Sequence, residues 1–309
     1  MNKIFIDGSA GTTGLRIRDR LAGRADLELI TLPEELRKEV SARRDALNAA
    51  DVAFLCLPDA AAVEAVSLVE NPATAVIDTS TAHRVAEGWE YGFPELAGRR
   101  ERLLAAKRIA NPGCHASGFI ALVAPLVSAG LLAPGAPIAA FSLTGYSGGG
   151  KKMIADYAEK LASGEEYLGG RQYALGQTHK HLPEMTKYCA LARPPVFAPV
   201  VVPHYSGMET TVMLEGVRVK GGLAAVRECL AAAYAGERIV RYCEDPSESG
   251  FLSSAAMTGR DDLVVSAYGN DERLLLVARF DNLGKGASGS AIQNLNLVLG
   301  VDETLGLTL

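Results

Sequence analysis

Short apolar runs alternate with amphipathic stretches over the first hundred residues of the chain. Four of these runs predict strands: KIFID, LELIT, VAFLCLP and TAVIDTS. Between them, Thr13 to Leu21 and Ala60 to Val69 carry apolar residues at the spacing of a helix. Strands that alternate with helices are typical of βαβ units, so we expect an α/β domain with a parallel sheet.

The pattern changes after about residue 113. Extended runs such as PIAAFSLTG and PVFAPVVVP are now mixed with helical stretches such as Lys152 to Leu161. Further along, DLVVSAY and RLLLVARF flank the tetrapeptide GNDE, which is typical of an antiparallel hairpin. This part of the chain therefore predicts an α+β domain.

The end of the chain is helical again. Residues Gly286 to Leu299 place Ile292, Leu295, Val298 and Leu299 on one face. We expect this helix to return to the first domain. The predicted division is residues 1–113 with 285–309 for a Rossmann-type dinucleotide-binding domain, and 114–284 for a catalytic and oligomerisation domain.

Composition excludes several classes of protein. The 309 residues are 48% hydrophobic and 22% charged, with a net charge of -5, which is ordinary for a globular protein and argues against nucleic-acid or membrane partners. The N-terminus runs directly into a strand, so no signal peptide is expected. The five cysteines form no CxxC pair, which favours a reduced, cytoplasmic protein.

A glycine-rich turn follows the first strand. The segment FIDGSAGTTG has a GxxGxxG pattern between a predicted strand and a predicted helix, where glycines let the backbone approach a pyrophosphate. The alternative is a tight turn without a ligand. The candidate cofactor-binding residues here are Gly8, Ser9, Ala10, Gly11, Thr12, Thr13 and Gly14.

The end of the second strand bears on which nucleotide binds. A carboxylate there would bind the ribose hydroxyl of NAD, but Thr31 stands at this position and Glu28 lies earlier. Arg37 and Lys38 follow, and Arg16 is a further candidate for the 2′-phosphate. The sequence therefore favours NADP.

Cys114 is the candidate nucleophile. It follows the turn Asn111-Pro112-Gly113 and precedes a stretch with helical apolar spacing, so it should stand at a helix N-terminus. There the helix dipole and free N–H groups stabilise a thiolate and lower the pKa of the thiol. Burial as a core residue is the alternative, because cysteine is often buried.

A thiol nucleophile needs a proton partner, and THKHLPEM is the segment richest in candidates. It supplies His179, His181 and Glu184, with Pro183 near the start of a predicted helix. The same residues could bind zinc, since side chains two apart in an extended segment face the same side. They could also be polar loop residues without a catalytic role.

Eight motifs in order along the chain resemble those of the aspartate-semialdehyde dehydrogenase superfamily. They are the GxxGxxG start, DTSTAHR, YGFPEL, NPGCHASG, TGYSGGGK, THKHLPEM, VVPHYSGM and DNLGKGASGSAIQNLN. YGFPEL and HxHxPE point within the superfamily to the N-acetyl-gamma-glutamyl-phosphate reductases, and the modest length suggests their short form. The resemblance spans nearly the whole chain.

The resemblance implies an NADPH-dependent enzyme of arginine biosynthesis that converts an acyl phosphate into an aldehyde. The reaction is split through a thioester on Cys114, because an acyl phosphate is a poor direct hydride acceptor. A histidine of THKHLPEM is implied as the acid–base partner. We favour His179, with His181 and Glu184 orienting the site, and no metal is implied.

The resemblance also assigns residues outside these two segments. It implies phosphate binding by Arg84, although a solvated loop charge is the alternative, and a contact of Asn294 with the nicotinamide carboxamide, although Asn294 could be a helix-surface residue. Ser80 and a flexible turn of Ser147, Gly148 and Gly149 are further cofactor-binding candidates. His83, His115 and His204 are not placed in the catalytic set.

Two other functions stay open at this point. Aspartate-semialdehyde dehydrogenase, or a related acyl-phosphate reductase of lysine biosynthesis, would use the same thioester chemistry. A nicotinamide-sensing protein without catalysis would keep only the dinucleotide fold. The expected partner is a small acyl phosphate, and the expected assembly is a homodimer or a homotetramer.

Overall fold

The computed structural model describes residues 1–309, which divide into two compact units. Unit 1 comprises residues 1–94, 98–112 and 287–307, and unit 2 comprises residues 95–97, 113–286 and 308–309. None of the helices combines the length and the apolar character that a membrane crossing requires.

Unit 1 is built on a six-stranded sheet in which every pair of neighbouring strands is parallel. Its elements up to residue 110 are β1 (Asn2–Asp7), α1 (Thr12–Leu21), β2 (Leu27–Ile30), α2 (Val40–Ala49), β3 (Val52–Leu55), α3 (Asp59–Ser67), β4 (Ala75–Asp78), β5 (Glu90–Tyr91), α4 (Arg99–Leu104) and β6 (Arg108–Ala110). The strand order is β2-β1-β3-β4-β6-β5. The predicted parallel α/β domain is confirmed.

The sheet of unit 1 is covered on both faces. Alternate residues of β1 enter different apolar clusters: Ile4 and Ile6 pack with Ile17 of α1, whereas Phe5 packs with Leu47 of α2. Successive side chains of a strand point to opposite faces, so a strand buried on both faces must be apolar throughout. This explains the continuous apolar runs of the sequence.

Unit 2 contains a mixed seven-stranded sheet flanked by helices. Its elements are α5 (Cys114–Ser128), β7 (Ala139–Gly145), α6 (Gly150–Ala162), β8 (Arg171–Gln172), α7 (Leu182–Tyr188), β9 (Val196–Val202), β10 (Met208–Glu215), α8 (Gly222–Ala233), β11 (Val240–Tyr242), β12 (Leu263–Gly269) and β13 (Arg273–Phe280). The strand order is β11-β12-β13-β10-β7-β9-β8. Strands β12 and β13 form the predicted antiparallel hairpin.

Helix α5 lies directly on this sheet. A Cβ at Gly118 would lie 2.6 Å from Thr210 Oγ1 on β10 and 2.8 Å from the ring of Phe280 on β13, so only glycine permits this approach. Phe119, Leu122 and other residues of the helix are fully buried. Helix α5 is thereby packed tightly against β10 and β13.

The last helix, α9 (Gly289–Val298), belongs to unit 1 and packs there as the sequence predicts. Ile292 and Leu295 join the apolar cluster of Ile4 and Ile17. The helix starts at Gly289 rather than at the predicted Gly286, because residues 284–288 form a π-helical turn. A Cβ at Gly284 would lie 2.0 Å from the carbonyl oxygen of Arg260, which explains why this tight turn contains glycine.

Candidate active site

Cys114 is the first residue of α5, directly after the extended Gly113. Its side chain is partly exposed, and no acidic residue lies in the first helical turn. The N–H groups of that turn and the positive end of the helix dipole favour a negative sulfur. A Cβ at Gly286 would lie 3.0 Å from Cys114 Cβ, so glycine at 286 keeps space beside the cysteine.

Three other thiols are in surroundings that oppose ionisation. Burial raises the pKa of Cys56 to about 12, and the charges of Asp78 and Asp7 add to this effect. Burial also raises the pKa of Cys189 and of Cys229. Cys114, unlike these three cysteines, is the first residue of a helix.

Glu184 connects the histidine segment to the cysteine turn. Its carboxylate is 1% exposed, and its Oε2 accepts a hydrogen bond of 3.1 Å from the backbone N–H of Gly113. Glu184 lies in the first turn of α7, after Pro183 at a helix N-terminal position. A carboxylate bonded in this way orients the residue that precedes Cys114.

The orientation of His179 is set by its neighbour. The backbone N–H of His181 donates to His179 Nδ1 at 3.2 Å, so the neutral imidazole of His179 carries its proton on Nε2. His179 is half-buried, whereas His181 is 4% exposed. The arrangement presents His179 Nε2 as a hydrogen-bond donor. Nowhere do three His, Cys, Asp or Glu side chains converge as a metal site would require.

Sequence reasoning missed two members of this site, His115 and Tyr173. The His115 ring is 2% exposed and makes edge contacts with His179 and Phe197, with ring centres 5.3 Å apart in both cases. Tyr173 O–H and His115 Nε2 are 2.7 Å apart. The adjacency of His115 to Cys114 was the one available signal, because the contact with Tyr173 joins residues distant in sequence.

The glycine-rich turn has the close packing that its motif predicts. Gly8 has φ +84°, and a Cβ there would lie 2.3 Å from the carbonyl oxygen of Cys56. A Cβ at Gly14 would lie 2.5 Å from the carbonyl oxygen of Gly8. Helix α1 begins at Thr12, within the motif, with no side-chain cap and no acidic residue in its first turn. Its N–H groups therefore fit a phosphate ligand.

A pocket of about 410 Å³ opens beside this turn within unit 1. It is lined by Gly8, Ser9 and Ala10 of the turn and by Thr31 at the end of β2. Its basic lining residues are Arg18, Arg37, Lys38 and Arg43.

Only part of this basic lining was predicted. Arg37 and Lys38 lie where the sequence suggests, but Arg16 does not line the pocket and Arg18, one half-turn further along α1, does. Arg43 is buried and bonds to the Asp7 carboxylate at 3.0 Å, while burial raises the pKa of Asp7. Arg43 is therefore engaged within the fold.

Asn294 and Arg84 are both buried, which excludes the surface interpretations left open for them. Asn294 Nδ2 donates to Gly92 O at 3.0 Å and to Asn111 Oδ1 at 3.3 Å, while its own Oδ1 is buried without a partner. That oxygen is an acceptor suited to an amide N–H. Arg84 Nε donates to Asn111 O at 3.0 Å, and its Nη2 donates to Thr79 O at 3.2 Å.

The remaining candidates have hydroxyl groups already engaged. Ser80 Oγ donates to Asp78 Oδ2 at 2.7 Å. Ser147 is 1% exposed and its Oγ accepts from Asn282 Nδ2 at 3.0 Å. The turn of Ser147, Gly148 and Gly149 is a short 3-10 helix, residues Tyr146–Gly149, in unit 2.

Comparisons with known proteins cover both units. Residues 3–105 match the family model of the semialdehyde dehydrogenase NAD binding domain, and residues 114–282 match that of the semialdehyde dehydrogenase dimerisation domain. The N-acetyl-gamma-glutamyl-phosphate reductase of Brucella anthropi is 47% identical, over 96% of this chain and 98% of the relative. That of Mesorhizobium japonicum is 46% identical, over 97% and 99%.

Solved structures of similar shape include aspartate semialdehyde dehydrogenases. The Vibrio cholerae enzyme II complexed with ASA has a TM-score of 0.73 at 16% identity, over 97% of this chain and 98% of that one. The Candida albicans enzyme with NADP has a TM-score of 0.69 at 16% identity, over 97% and 99%. At such identity these structures show the fold alone.

Proposed function

The chain belongs to the N-acetyl-gamma-glutamyl-phosphate reductase family of semialdehyde dehydrogenases, and on that basis we propose that it catalyses the reaction of that family. It reduces N-acetyl-gamma-glutamyl phosphate to N-acetylglutamate 5-semialdehyde with NADPH, as a step of arginine biosynthesis. The observation that carries the mechanism is Cys114 at the start of α5, with the preceding N–H group bound by Glu184.

Acylation is the first chemical step. The Cys114 thiolate attacks the acyl carbonyl carbon, a C–S bond forms, and the C–O bond to phosphate breaks as phosphate leaves with the electron pair. The N–H groups of the first turn of α5 are candidates for stabilising the carbonyl oxyanion. Arg84 is the proposed ligand of the substrate phosphate.

His179 is the proposed acid–base residue beside this nucleophile. In this arrangement Nδ1 accepts the His181 N–H, so Nε2–H is available to donate a hydrogen bond to a negatively charged sulfur or oxygen. Transfer of a proton from His179 requires the imidazolium, in which Nδ1 has exchanged this bond for a proton. Glu184 keeps the turn before Cys114 in place through Gly113. His181 completes the buried wall of this site, with its ring centre 4.6 Å from that of His179.

Unit 1 has the features of an NADP site. The turn from Gly8 to Gly14 would hold the pyrophosphate, Arg37 and Lys38 beside Thr31 would hold the 2′-phosphate, and Asn294 Oδ1 would accept from the carboxamide. Ser80 and the turn of residues 147–149 are further proposed contacts. When bound, NADPH supplies the hydride that converts the thioester into the aldehyde.

The test is a steady-state assay in the direction of phosphate-dependent oxidation. N-acetylglutamate 5-semialdehyde and aspartate semialdehyde are compared as substrates, each with NADP and with NAD. We expect turnover of the acetylated substrate with NADP. Turnover of aspartate semialdehyde alone would identify the other semialdehyde dehydrogenase reaction, and NADP binding without any turnover would identify a non-catalytic protein.

Unit 2 corresponds to the dimerisation domain of the family, so we propose a homo-oligomer, a dimer or a tetramer. In the same proposal, residues 1–113 with 285–309 bind NADP and residues 114–284 carry the nucleophile and the subunit contacts. Sedimentation at several protein concentrations measures the assembly.

A further inference from the structure

His115 is a buried, doubly hydrogen-bonded imidazole next to the nucleophile. Its Nδ1 lies 2.8 Å from Ser142 Oγ on β7, and its Nε2 lies 2.7 Å from the Tyr173 hydroxyl. The ring is 2% exposed and the acid–base assignment to His179 does not use it. A histidine with both nitrogens bonded inside the protein holds other groups in place.

The surrounding network determines which nitrogen carries the proton. Ser142 Oγ also lies 3.2 Å from the carbonyl oxygen of Glu209, which can only accept, and 2.9 Å from Thr210 Oγ1, so the Ser142 proton has acceptors other than His115. On this basis we assign Ser142 Oγ as the acceptor of His115 Nδ1–H. In a neutral ring Nε2 is then bare, and it accepts the proton of the Tyr173 hydroxyl.

His115 stays neutral in this environment. Burial lowers its pKa well below the ordinary value, and the positive charge of Lys180, or of His179 when that ring is protonated, acts in the same direction. The titratable groups that face its ring are His179, His181 and Tyr173. The imidazole is therefore unsuited to exchanging protons with substrate near neutral pH.

Tyr173 bonds to the residue that follows the nucleophile, and it lies close enough to Cys114 for the two side chains to interact electrostatically. Burial raises the pKa of its phenol, and the charge of Cys114 raises it further, so the hydroxyl stays protonated next to a thiolate. The backbone N–H of Tyr173 donates to Pro199 O at 3.1 Å, which fixes this residue to β9. Because the hydroxyl proton of Tyr173 is directed at His115, the phenol oxygen keeps a lone pair that can accept a hydrogen bond from another donor.

We propose that His115 is a positioning residue that fixes the Tyr173 hydroxyl as a hydrogen-bond acceptor beside Cys114, where it receives the N–H of the substrate's acylated amino group. The inference rests on the proposed function, since that substrate carries an amide N–H. An uncharged N–H donor matches a neutral phenol oxygen held in one orientation.

Kinetics of His115→Phe, Tyr173→Phe and the double variant test this inference in the semialdehyde oxidation assay. We expect each single variant to raise KM for N-acetylglutamate 5-semialdehyde about 3- to 10-fold, the effect of one neutral hydrogen bond, with a smaller change in kcat. The double variant should resemble the single variants, because both remove the same unit. The pH profile of kcat should keep its acidic limb.

Two further variants keep the test interpretable. His115→Gln can still place a hydrogen-bonding group near Tyr173, so it should restore part of the lost KM and serves if His115→Phe does not fold. Tyr268→Phe removes a different phenol hydroxyl, which bonds to Asp245 at 3.2 Å, and should leave the kinetics unchanged.

Specific outcomes would overturn the inference. Additive effects of His115→Phe and Tyr173→Phe would show that the residues act independently, and loss of the acidic limb in His115→Phe would make His115 an acid–base group. A wild-type protein inactive toward the acetylated semialdehyde would instead overturn the proposed function, so the two failures are distinct.

Discussion

The carboxylate of Glu184 binds the backbone N–H of Gly113 at 3.1 Å, which joins the start of α7 to the turn that carries Cys114. Glu184→Ala would leave that N–H buried without an acceptor, at a cost of about 1–3 kcal/mol in unfolding free energy. We expect a lower melting temperature and a clear loss of turnover. Glu184→Gln retains an acceptor oxygen, so its melting temperature and its turnover should fall less than those of Glu184→Ala.

The matched control for this pair is Glu228→Ala, which removes a carboxylate from an exposed position on α8. Thermal unfolding and kcat/KM are measured for all three variants. If Glu184→Ala were as stable and as active as Glu228→Ala, the hydrogen bond would not hold the turn.

Cys114→Ser should abolish turnover while NADPH still binds. A serine hydroxyl is far less ionised and less nucleophilic than a thiol, so we expect a loss of about a thousandfold or more in kcat. Fluorescence titration with NADPH checks that cofactor binding is intact. Cys56→Ser is the control, since Cys56 packs against the core of unit 1 and its folded fraction should remain active. Near-normal turnover by Cys114→Ser would refute the thioester mechanism.

Alkylation should distinguish the cysteines without any mutation. With a pKa of about 12, Cys56 is ionised to only about one part in ten thousand at pH 8, and burial likewise suppresses ionisation of Cys189. We expect iodoacetamide to label Cys114 first, and substrate to protect it. Peptide mapping after brief labelling measures the order, and first modification at Cys56 would contradict it.

Cofactor preference should change when charge is altered at the end of β2. If Lys38 binds the 2′-phosphate as proposed, Lys38→Ala removes one charge-assisted contact, so KM for NADP should rise about 10-fold or more while KM for NAD changes little. Thr31→Glu should move preference toward NAD, since a carboxylate there repels the phosphate and can bind the ribose hydroxyl. Arg16→Ala is the matched control, because Arg16 does not line the pocket. An equal effect of Lys38→Ala on both nucleotides would contradict the assignment.

Protein stability should fall as pH drops below about 6.5, in part because of His115. The pKa of His115 is lowered in the folded protein, so below pH 6.5 the unfolded chain binds a proton at this ring that the folded protein does not. One such group contributes a slope of at most about 1.4 kcal/mol per pH unit. His115→Gln should therefore show a shallower decline between pH 7.5 and 5.5.

Urea unfolding at each pH measures this difference. Tyr173→Phe is the control, because it removes a partner of His115 but keeps the titrating ring, so its slope should stay near that of the wild type. If stability declined with pH as steeply in His115→Gln as in the wild type, His115 would not resist protonation in the folded protein.

The local pattern of apolar and polar residues is sufficient to predict most elements of the fold. The run KIFID became β1 because its residues are buried on both faces, and the stretch after Gly113 became α5 because its apolar residues repeat at helical spacing. The predicted start of the last helix was wrong by three residues, because residues 284–288 form a π-helical turn in which Gly284 packs closely against the carbonyl oxygen of Arg260. Such packing leaves no periodic signal.

The candidate site was only partly accessible to the same reasoning. The turn before Cys114 predicts its place at the start of α5, which the structure has, and the sequence places Glu184 in the same segment as His179. The sequence does not single out His115, because its partners Ser142 and Tyr173 come from β7 and from the segment after β8. The sequence does not show that Arg18 rather than Arg16 lines the pocket, because the face of α1 that does so depends on tertiary packing.

The hydrogen bond from Gly113 to Glu184 also has a consequence for synthesis of the chain. Its two partners are 71 residues apart, so a nascent polypeptide exposes Cys114 well before its orienting carboxylate has been translated. Contacts across such a separation form late, since the intervening chain must first lose much of its conformational freedom. Catalytic competence therefore arises after α5 has formed. A ribosome-bound fragment that ends before residue 184 contains the Cys114 thiol, but the backbone N–H of Gly113 has no Glu184 carboxylate to accept its hydrogen bond.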